Sequence, residues 1–396
     1  MKCLHISDLH IGKQLYGYSL LEDQRFVLQQ VLDVLKEETP DALFLSGDIY
    51  DKPVPSAEAV ALFDWFLSEA SGSSETISVF VIAGNHDSAK RIDFAGDILR
   101  RERVFVVGTP PENADAYISK VSLTDPYGEI DIYMLPFFKP SGIRGVFSPE
   151  ENESYVNQSK EMGRSEYDIY FEKLMERETI DESRRNVMLT HQFFRPKDET
   201  IERTESEIVT VGMLDEIGTK MLAPFDYVAM GHIHKAQKCG MPRYRYCGTV
   251  MPYSLGEEKD EKSVTLVTLK EKGTPVHIET RVLKPLRRVR RLRGTKQELL
   301  SLEEASNDYV SLIVTDEQPG RFVREELRSV FSHILEIRFE NEYMKELIGQ
   351  ESEEPLAGDF FELFSRFYEM RNGMEMSEKE ADILTRMLGE VQEVEE

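Results

Sequence analysis

Asp8 and His10 stand two residues apart at the end of the apolar run LHISDLH. On a strand, that spacing sends both side chains to one side, where they can reach a single cation. Four further apolar runs finish the same way. LFLSGD delivers Asp48, VFVIAGNHD delivers Asn85, VMLTH delivers His191, and VAMGHIH delivers His232 and His234. Five of the eight histidines, His10, His86, His191, His232 and His234, lie at the ends of these runs. Taken singly the segments say little: a DxH is common, Gly-Asn marks ordinary turns, and HIH after glycine suits an exposed hairpin. Taken together, each after a buried-looking run, they are most economically explained as one polynuclear metal site.

The seven candidate ligands exceed what one tetrahedral zinc takes, so two ions are expected. Oxygen and imidazole donors without thiolate favour manganese, iron or zinc over calcium. Asp48 follows a glycine that lets the backbone turn sharply, and a carboxylate can bridge two ions through its two oxygens. Two ions ~3.5–4 Å apart polarise a phosphoryl group and lower the pKa of a water between them. The chemistry implied is phosphoester hydrolysis. His86 directly follows Asn85 and so points another way. It is placed to give a hydrogen bond or a proton to the phosphate or leaving group, and Asp87 is expected to orient its ring. His5, His277 and His333 have no such context and read as structural.

The elements that must position these residues follow an α/β rhythm. Strand-like runs at 2–7, 41–46 and 77–83 alternate with helical periodicity at 20–37, 56–70 and 88–101. Alternation of this kind collects ligands at the C-terminal ends of strands. Residues 148–186 read as a peripheral helical excursion, after which the core resumes at 187–191 and 226–231. A hairpin-like region covers 243–280. Three divisions are expected: a core of residues 1–282, a small α/β unit at 283–348, and an acidic linker with a helix pair at 349–396. In the last, Phe360, Phe361, Phe364, Phe367 and Tyr368 share one helical face. Asn372 and Gly373 break the helix, and Ser377 with Glu380 forms a capping box for the next.

At 396 residues, 40% of them hydrophobic, the chain can bury a sizeable core. Its net charge of −25 argues against a simple electrostatic binder of nucleic acid. Against that background the basic run Lys284, Arg287, Arg288, Arg290, Arg291 and Arg293 stands out as a surface for a phosphate backbone. Three unpaired cysteines, no leader and no bilayer-length apolar stretch lead to the expectation of a reduced, cytoplasmic chain. No GxxxxGK[ST] loop occurs, so no nucleotide site is expected and an ATP-driven step would need a partner.

The set SDLH, GD, GNHD, TH and GHIH resembles the motifs of the calcineurin-like metallophosphoesterases. Within that superfamily the longer stretches LHISDLHIGKQLYGYSLLEDQ, LSGDIYDKPVPS, VIAGNHDS, DYVAMGHIHKAQ and RYCGTVMPYSLGE are similar to the nuclease subunits of bacterial SbcC–SbcD-type complexes. The resemblance is strong over residues 1–280 and weaker beyond. It departs at Leu9, where these subunits often carry Trp.

The resemblance implies a four-layer sandwich of two β-sheets flanked by helices, a small α/β capping domain over DNA, and a C-terminal helix pair. It assigns Asp8, His10, Asp48 and His234 to one ion and Asp48, Asn85, His191 and His232 to the other. The ions would be manganese, and His86 the catalytic histidine. It implies a 3'-5' double-strand exonuclease and a single-strand and hairpin endonuclease, serving DNA repair and recombination. Its partners would be DNA and a coiled-coil ATPase of the SbcC type, docked on the aromatic face. A homodimer would give a heterotetramer, associated with the nucleoid. Two other functions fit part of the sequence. One is a calcineurin-like esterase for a small phosphodiester or phosphoprotein, which would need no C-terminal third. The other is a non-catalytic scaffold, which would not need the full ligand set.

Overall fold

The computed structural model describes residues 1–197, 199–204, 207, 215–317, 320, 322–340, 360–372 and 374–392. The chain divides into two compact units, Met1–Leu286 and Arg287–Glu396.

Two six-stranded sheets form the first unit. One contains β1 (Lys2–Ile6), β4 (Ala42–Ser46), β5 (Ser78–Ile82), β6 (Val104–Val107), β15 (Ser263–Thr268) and β16 (His277–Val282), ordered β16-β15-β1-β4-β5-β6. The other contains β7 (Ser119–Asp125), β8 (Gly128–Leu135), β9 (Arg185–Thr190), β12 (Tyr227–Met230), β13 (Gln237–Cys239) and β14 (Met241–Tyr246), ordered β13-β14-β12-β9-β8-β7. Two short ladders, β2 (Gln14–Leu15) with β3 (Tyr18–Ser19) and β10 (Phe194–Arg195) with β11 (Ile217–Gly218), decorate the loops. The central strands are parallel, and antiparallel strands close every edge except that of β6, which runs parallel to β5. Strands such as LFLS and SVFVI are apolar throughout because both of their faces are covered.

Strand alternation sorts side chains into layers. Cys3, Phe44, Phe80 and Ile82 of the first sheet meet Ile132, Met134, Val187, Leu189 and Ala229 of the second. The intervening residues of the second sheet, Tyr133, Leu135, Met188 and Val228, face outward onto Ile169, Tyr170, Phe171 and Leu174 of the helix Glu166–Arg177. Helices Leu21–Glu38 and Ala57–Ser71 pack on one another and cover the first sheet. The first of them ends with Thr39 in the left-handed region, just before Pro40. The layering is helix, sheet, sheet, helix.

Two local expectations change. Residues 88–101 form two short helices, Ala89–Ile92 and Gly96–Leu99, instead of one. Asp93 turns its carboxylate to Gly108 N and Thr109 Oγ1, and Ala95 takes a left-handed φ of 60°. The 148–186 segment is no appendage either: its helices Pro149–Met162 and Glu166–Arg177 bury Tyr155, Ile169, Tyr170, Phe171 and Leu174 as the outer layer of the second sheet.

The second unit holds a parallel sheet of β17 (Val289–Gly294), β18 (Tyr309–Val314) and β19 (His333–Phe339) in that order. Helices Lys296–Leu300 and Val323–Val330 complete its core through Leu299, Val323 and Leu327, which meet Leu292, Leu312 and Ile337. Helices Phe360–Asn372 and Glu378–Gln392 follow. Ser377 N donates to Glu380 Oε2 at 2.8 Å, one arm of the anticipated capping box. The expected acidic linker at 346–358 lies outside the described residues. No helix among the described residues is long and apolar enough to cross a membrane.

Candidate metal centre

Asp8 and His10 follow β1, Asp48 follows β4, Asn85 follows β5, His191 follows β9, and His232 and His234 follow β12. All seven therefore arrive beyond the C-terminal ends of parallel strands. Asp8, His10, Asp48 and His232 have φ values of 53°, 42°, 49° and 87°. Such left-handed conformations cost non-glycine residues ~1–3 kcal/mol each and gather where function requires them. Cross-strand hydrogen bonds hold them: Asp8 N to Gly47 O at 3.0 Å, His10 N to Asp48 O at 3.0 Å, and Gly231 N to Thr190 O at 3.0 Å. Gly47 has φ +92°, and a Cβ there would collide with the His191 ring.

The donor atoms converge in overlapping triads. Asp8, His10 and His234 form one, Asp8, Asp48 and His191 a second, and His10, Asp48 and His86 a third; within each, the atoms lie within 4.8 Å of one another. His10 Nε2 stands 3.2 Å from His234 Nε2 and 3.6 Å from Asp48 Oδ2. His191 Nε2 lies 3.3 Å from Asp48 Oδ2 and 3.1 Å from Asn85 Oδ1, and His232 Nδ1 is 2.9 Å from the same Asn85 oxygen. His191 Nδ1 donates to Ser46 O at 2.7 Å, so its Nε2 faces the cluster. His10 Nδ1 is buried with no hydrogen-bond partner. Carboxylates, an amide oxygen and inward imidazoles in this packing fit divalent cations, and Asp8 as well as Asp48 reaches both sides of the cluster.

Burial sets the electrostatics. It pushes Asp8 up to about 7, helped by the Asp48 charge and opposed by His191. It pushes His232 and His234 down to about 3, and His10 well below the usual imidazole range. His191 goes the other way: burial opposes its charge, but Asp48 and Asp8 outweigh that and raise it to about 9. Asp48, equally buried, is held well below the usual carboxylate range by His191 and His10. His191 and Asp48 thus carry opposite charges side by side, while burial keeps the other three imidazoles neutral.

His86 sits at the rim, its ring 4.8 Å from that of His10. The group that orients it is not Asp87. His86 Nδ1 bonds the Asp51 carbonyl at 2.9 Å, whereas the Asp87 carboxylate accepts from Ile49 N, Tyr50 N and Gly84 N at 3.0, 2.9 and 2.9 Å. Asp87 therefore ties the GD loop to the GNHD loop. Asp51 also receives Lys13 Nζ at 2.8 Å and lines a cleft of about 460 Å³ together with Ile11, Gly12, Lys52 and Ser56.

Gln24 and Tyr253 lie in stretches that carry the resemblance, which assigns them no role, and both grip the Asp8–His10 loop. Gln24 Nε2 donates to His10 O at 2.7 Å and Leu9 O at 3.2 Å, and Gln24 Oε1 accepts from Gly12 N at 3.0 Å. The Tyr253 hydroxyl donates to Leu9 O. Leu9 itself is buried, so the departure from Trp falls on packing and not on the donor set.

The basic and aromatic residues of the C-terminal third are spread over both units. Lys284 ends the first unit; Arg287, Arg288, Arg290, Arg291 and Arg293 begin the second. Arg290 pairs with Asp308 at 3.4 Å and Arg293 with Glu340 at 3.2 Å. On the helix Phe360–Asn372, Phe364 and Phe367 are exposed with rings 6.2 Å apart, and Phe361 is half-buried. The Tyr368 hydroxyl instead donates to Glu380 of the next helix at 2.7 Å. The Phe360 side chain lies outside the described residues.

A calcineurin-like phosphoesterase model matches residues 1–236, more than half of the chain. The chain belongs to that family. The calcineurin-like phosphoesterase fold accounts for the two-sheet core, and the family makes the chain a metal-dependent phosphoesterase. A second model, SbcD_C, described as a type 5 capsule protein repressor C-terminal domain, matches residues 282–372. The chain is 26% identical to the D component of nuclease SbcCD from Staphylococcus epidermidis over 343 residues, 85% of this chain and 84% of that one. It is likewise 26% identical to the same-named protein of Staphylococcus saprophyticus over 305 residues, 76% of this chain and 73% of that one. Among solved structures, a dimetal phosphatase from Danio rerio aligns at 12% identity and a TM-score of 0.41, covering 71% of this chain and 96% of that one.

Proposed function

We propose that this phosphoesterase is a DNA nuclease, the nuclease subunit of an SbcC–SbcD-type complex driven by a coiled-coil ATPase. The observation that carries the reading is the extent of the similarity to the D component of nuclease SbcCD. It extends over 343 residues, 85% of the chain's length. A stand-alone enzyme for small esters has no use for the second unit.

In this reading Asp8, His10, Asp48 and His234 hold one ion and Asp48, Asn85, His191 and His232 the other. Two divalent ions, Mn²⁺ by preference, supply Lewis-acid polarisation of the phosphodiester and an activated water when bound. The chain's own contribution is position and charge. His191, fixed through Nδ1 on Ser46 O, would present Nε2 to the ion as a neutral imidazole. His86, fixed through Nδ1 on Asp51 O, offers Nε2 to the phosphate or to the leaving oxygen. The basic run ending in Arg293 contacts the DNA backbone. Phe361, Phe364 and Phe367 dock the ATPase, with Tyr368 bracing the helix pair. A homodimer acts on double-strand ends as a 3'-5' exonuclease and on single strands and hairpins as an endonuclease, within the cytoplasm.

The test is cleavage of end-labelled duplex and hairpin DNA in Mn²⁺, with bis-p-nitrophenyl phosphate alongside. Cleavage of DNA that the ATPase partner stimulates is expected; cleavage of the small ester alone overturns the nuclease reading.

A further inference from the structure

Glu257 and Lys262 form an ion pair of 2.7 Å in the interior, with Glu257 wholly buried and Lys262 6% exposed. A buried pair of this kind seldom repays the water both charges give up. Its surroundings suggest why it is there. Lys262 Nζ donates to His234 O at 3.2 Å, and Thr249 N donates to the same carbonyl at 3.0 Å. Ser254 Oγ and Thr249 Oγ1 donate to the Glu257 carboxylate at 2.9 and 3.3 Å, fixing the pair in turn. The Glu257 and Lys262 charges act on the His234 ring in opposite directions.

His234 needs such support more than its neighbours do. His191 directly follows β9 and is anchored through its own ring on Ser46 O. His232 is anchored by its amide on the Asp8 carboxylate at 3.0 Å. His234 lies further along the loop after β12, beyond the end of the strand. Its carbonyl meets the Lys262 and Thr249 donors, and its amide meets the Glu207 carboxylate at 2.9 Å.

We propose that the buried Glu257–Lys262 pair is a positioning device for His234, holding the imidazole for the ion it would share with Asp8 and His10. The proposal rests on reading His234 as a ligand. Breaking the pair on one side leaves a lone buried charge, so the test variant is Glu257→Gln with Lys262→Met in the full chain. Mn²⁺ affinity and stoichiometry are measured by titration calorimetry, together with melting of the chelator-treated protein; wild type and His234→Ala are the controls. The expected result is an unchanged melting temperature without metal and an affinity lower by about 10–100-fold at one site, the site that His234→Ala weakens. Wild-type affinity at both sites overturns the proposal, as does equal loss at both sites with a lower metal-free melting temperature, which marks a purely structural pair. Should the double variant fail to fold, Thr249→Val with Ser254→Ala loosens the same pair and must give a site-selective loss; wild-type affinity there overturns the proposal. If wild type binds fewer than two ions, or His234→Ala leaves both sites intact, it is the ligand reading that fails.

Discussion

Gln24 offers the sharpest test of how the Asp8–His10 loop is held. Its side chain is 1% exposed and leaves the helix Leu21–Glu38 to satisfy the loop's backbone. Gln24→Ala strips His10 O and Gly12 N of their side-chain partner, while Leu9 O keeps the Tyr253 hydroxyl. His10 O keeps Lys13 N at 3.0 Å, so what is left unmade is the half-buried Gly12 N–H, and with the lost packing the cost is about 1–3 kcal/mol. At ~2–4 °C per kcal/mol for a unit of this size, melting of the metal-free protein falls by about 2–12 °C. Gln24→Glu is expected to be no milder, because it keeps the acceptor for Gly12 N but turns an acceptor towards His10 O. The loosened loop also lowers Mn²⁺ affinity by about 10-fold at the ion that Asp8 and His10 share. Scanning calorimetry on chelator-treated protein and a Mn²⁺ titration read both effects. A Gln24→Ala protein that melts and binds Mn²⁺ like wild type refutes the reasoning.

His86→Ala is expected to abolish phosphodiester cleavage with metal content near normal by elemental analysis; lost metal instead makes His86 a ligand, in line with its place beside His10 and Asp48. Asp48→Ala is expected to lose both ions, and retention of one shows that Asp48 is not shared. The metal-free protein is expected to lose stability as pH rises from about 7.5 to 9. His191, raised to about 9, and the buried Cys3, Cys239 and Cys247, whose thiols burial pushes well above the free value, carry the fall together: the His191 contribution is fully present below the ordinary imidazole range and is lost as pH rises through about 9. Asp8, raised to about 7, acts in the same direction, with most of its contribution already lost at the start of that window. His10, His232 and His234, lowered by burial, are neutral in folded and unfolded chains alike above about pH 7.5 and do not oppose the trend. Urea unfolding at about pH 7.5, 8.2 and 9 measures it; stability that is flat or rising contradicts the assignment.

The donor atoms were legible because their positions obey strand physics. A residue just past a buried parallel strand can only face the crevice, so LHISDLH, LFLSGD and VMLTH announced Asp8, Asp48 and His191 without any knowledge of the fold. What supports the donors was not legible. Gln24 sits in an ordinary amphipathic helix, and nothing in LLEDQ shows that one polar residue turns inward. Glu257 and Lys262 lie in EEKDEKS, a stretch that reads as solvated charge and is partly core. Adjacency to His86 suggested a role for Asp87, but three backbone amides outbid one imidazole for a buried carboxylate. The helix expected at 88–101 failed for a similar reason: Asp93 found backbone partners across the fold that a helical continuation would forgo.

The pairing of β1 has a consequence for how the protein is made. One edge of β1 pairs with β4, a neighbour in sequence, but its other edge waits for β15, between Ile6 and Ser263. At a synthesis rate of ~5–20 residues per second that wait lasts about 10–50 s on the ribosome. Throughout it, a strand with the sequence KCLHI shows an open edge, the kind of surface that recruits other chains. That wait makes expression yield, and not only activity, a sensitive reporter of damage to β15 and its approach.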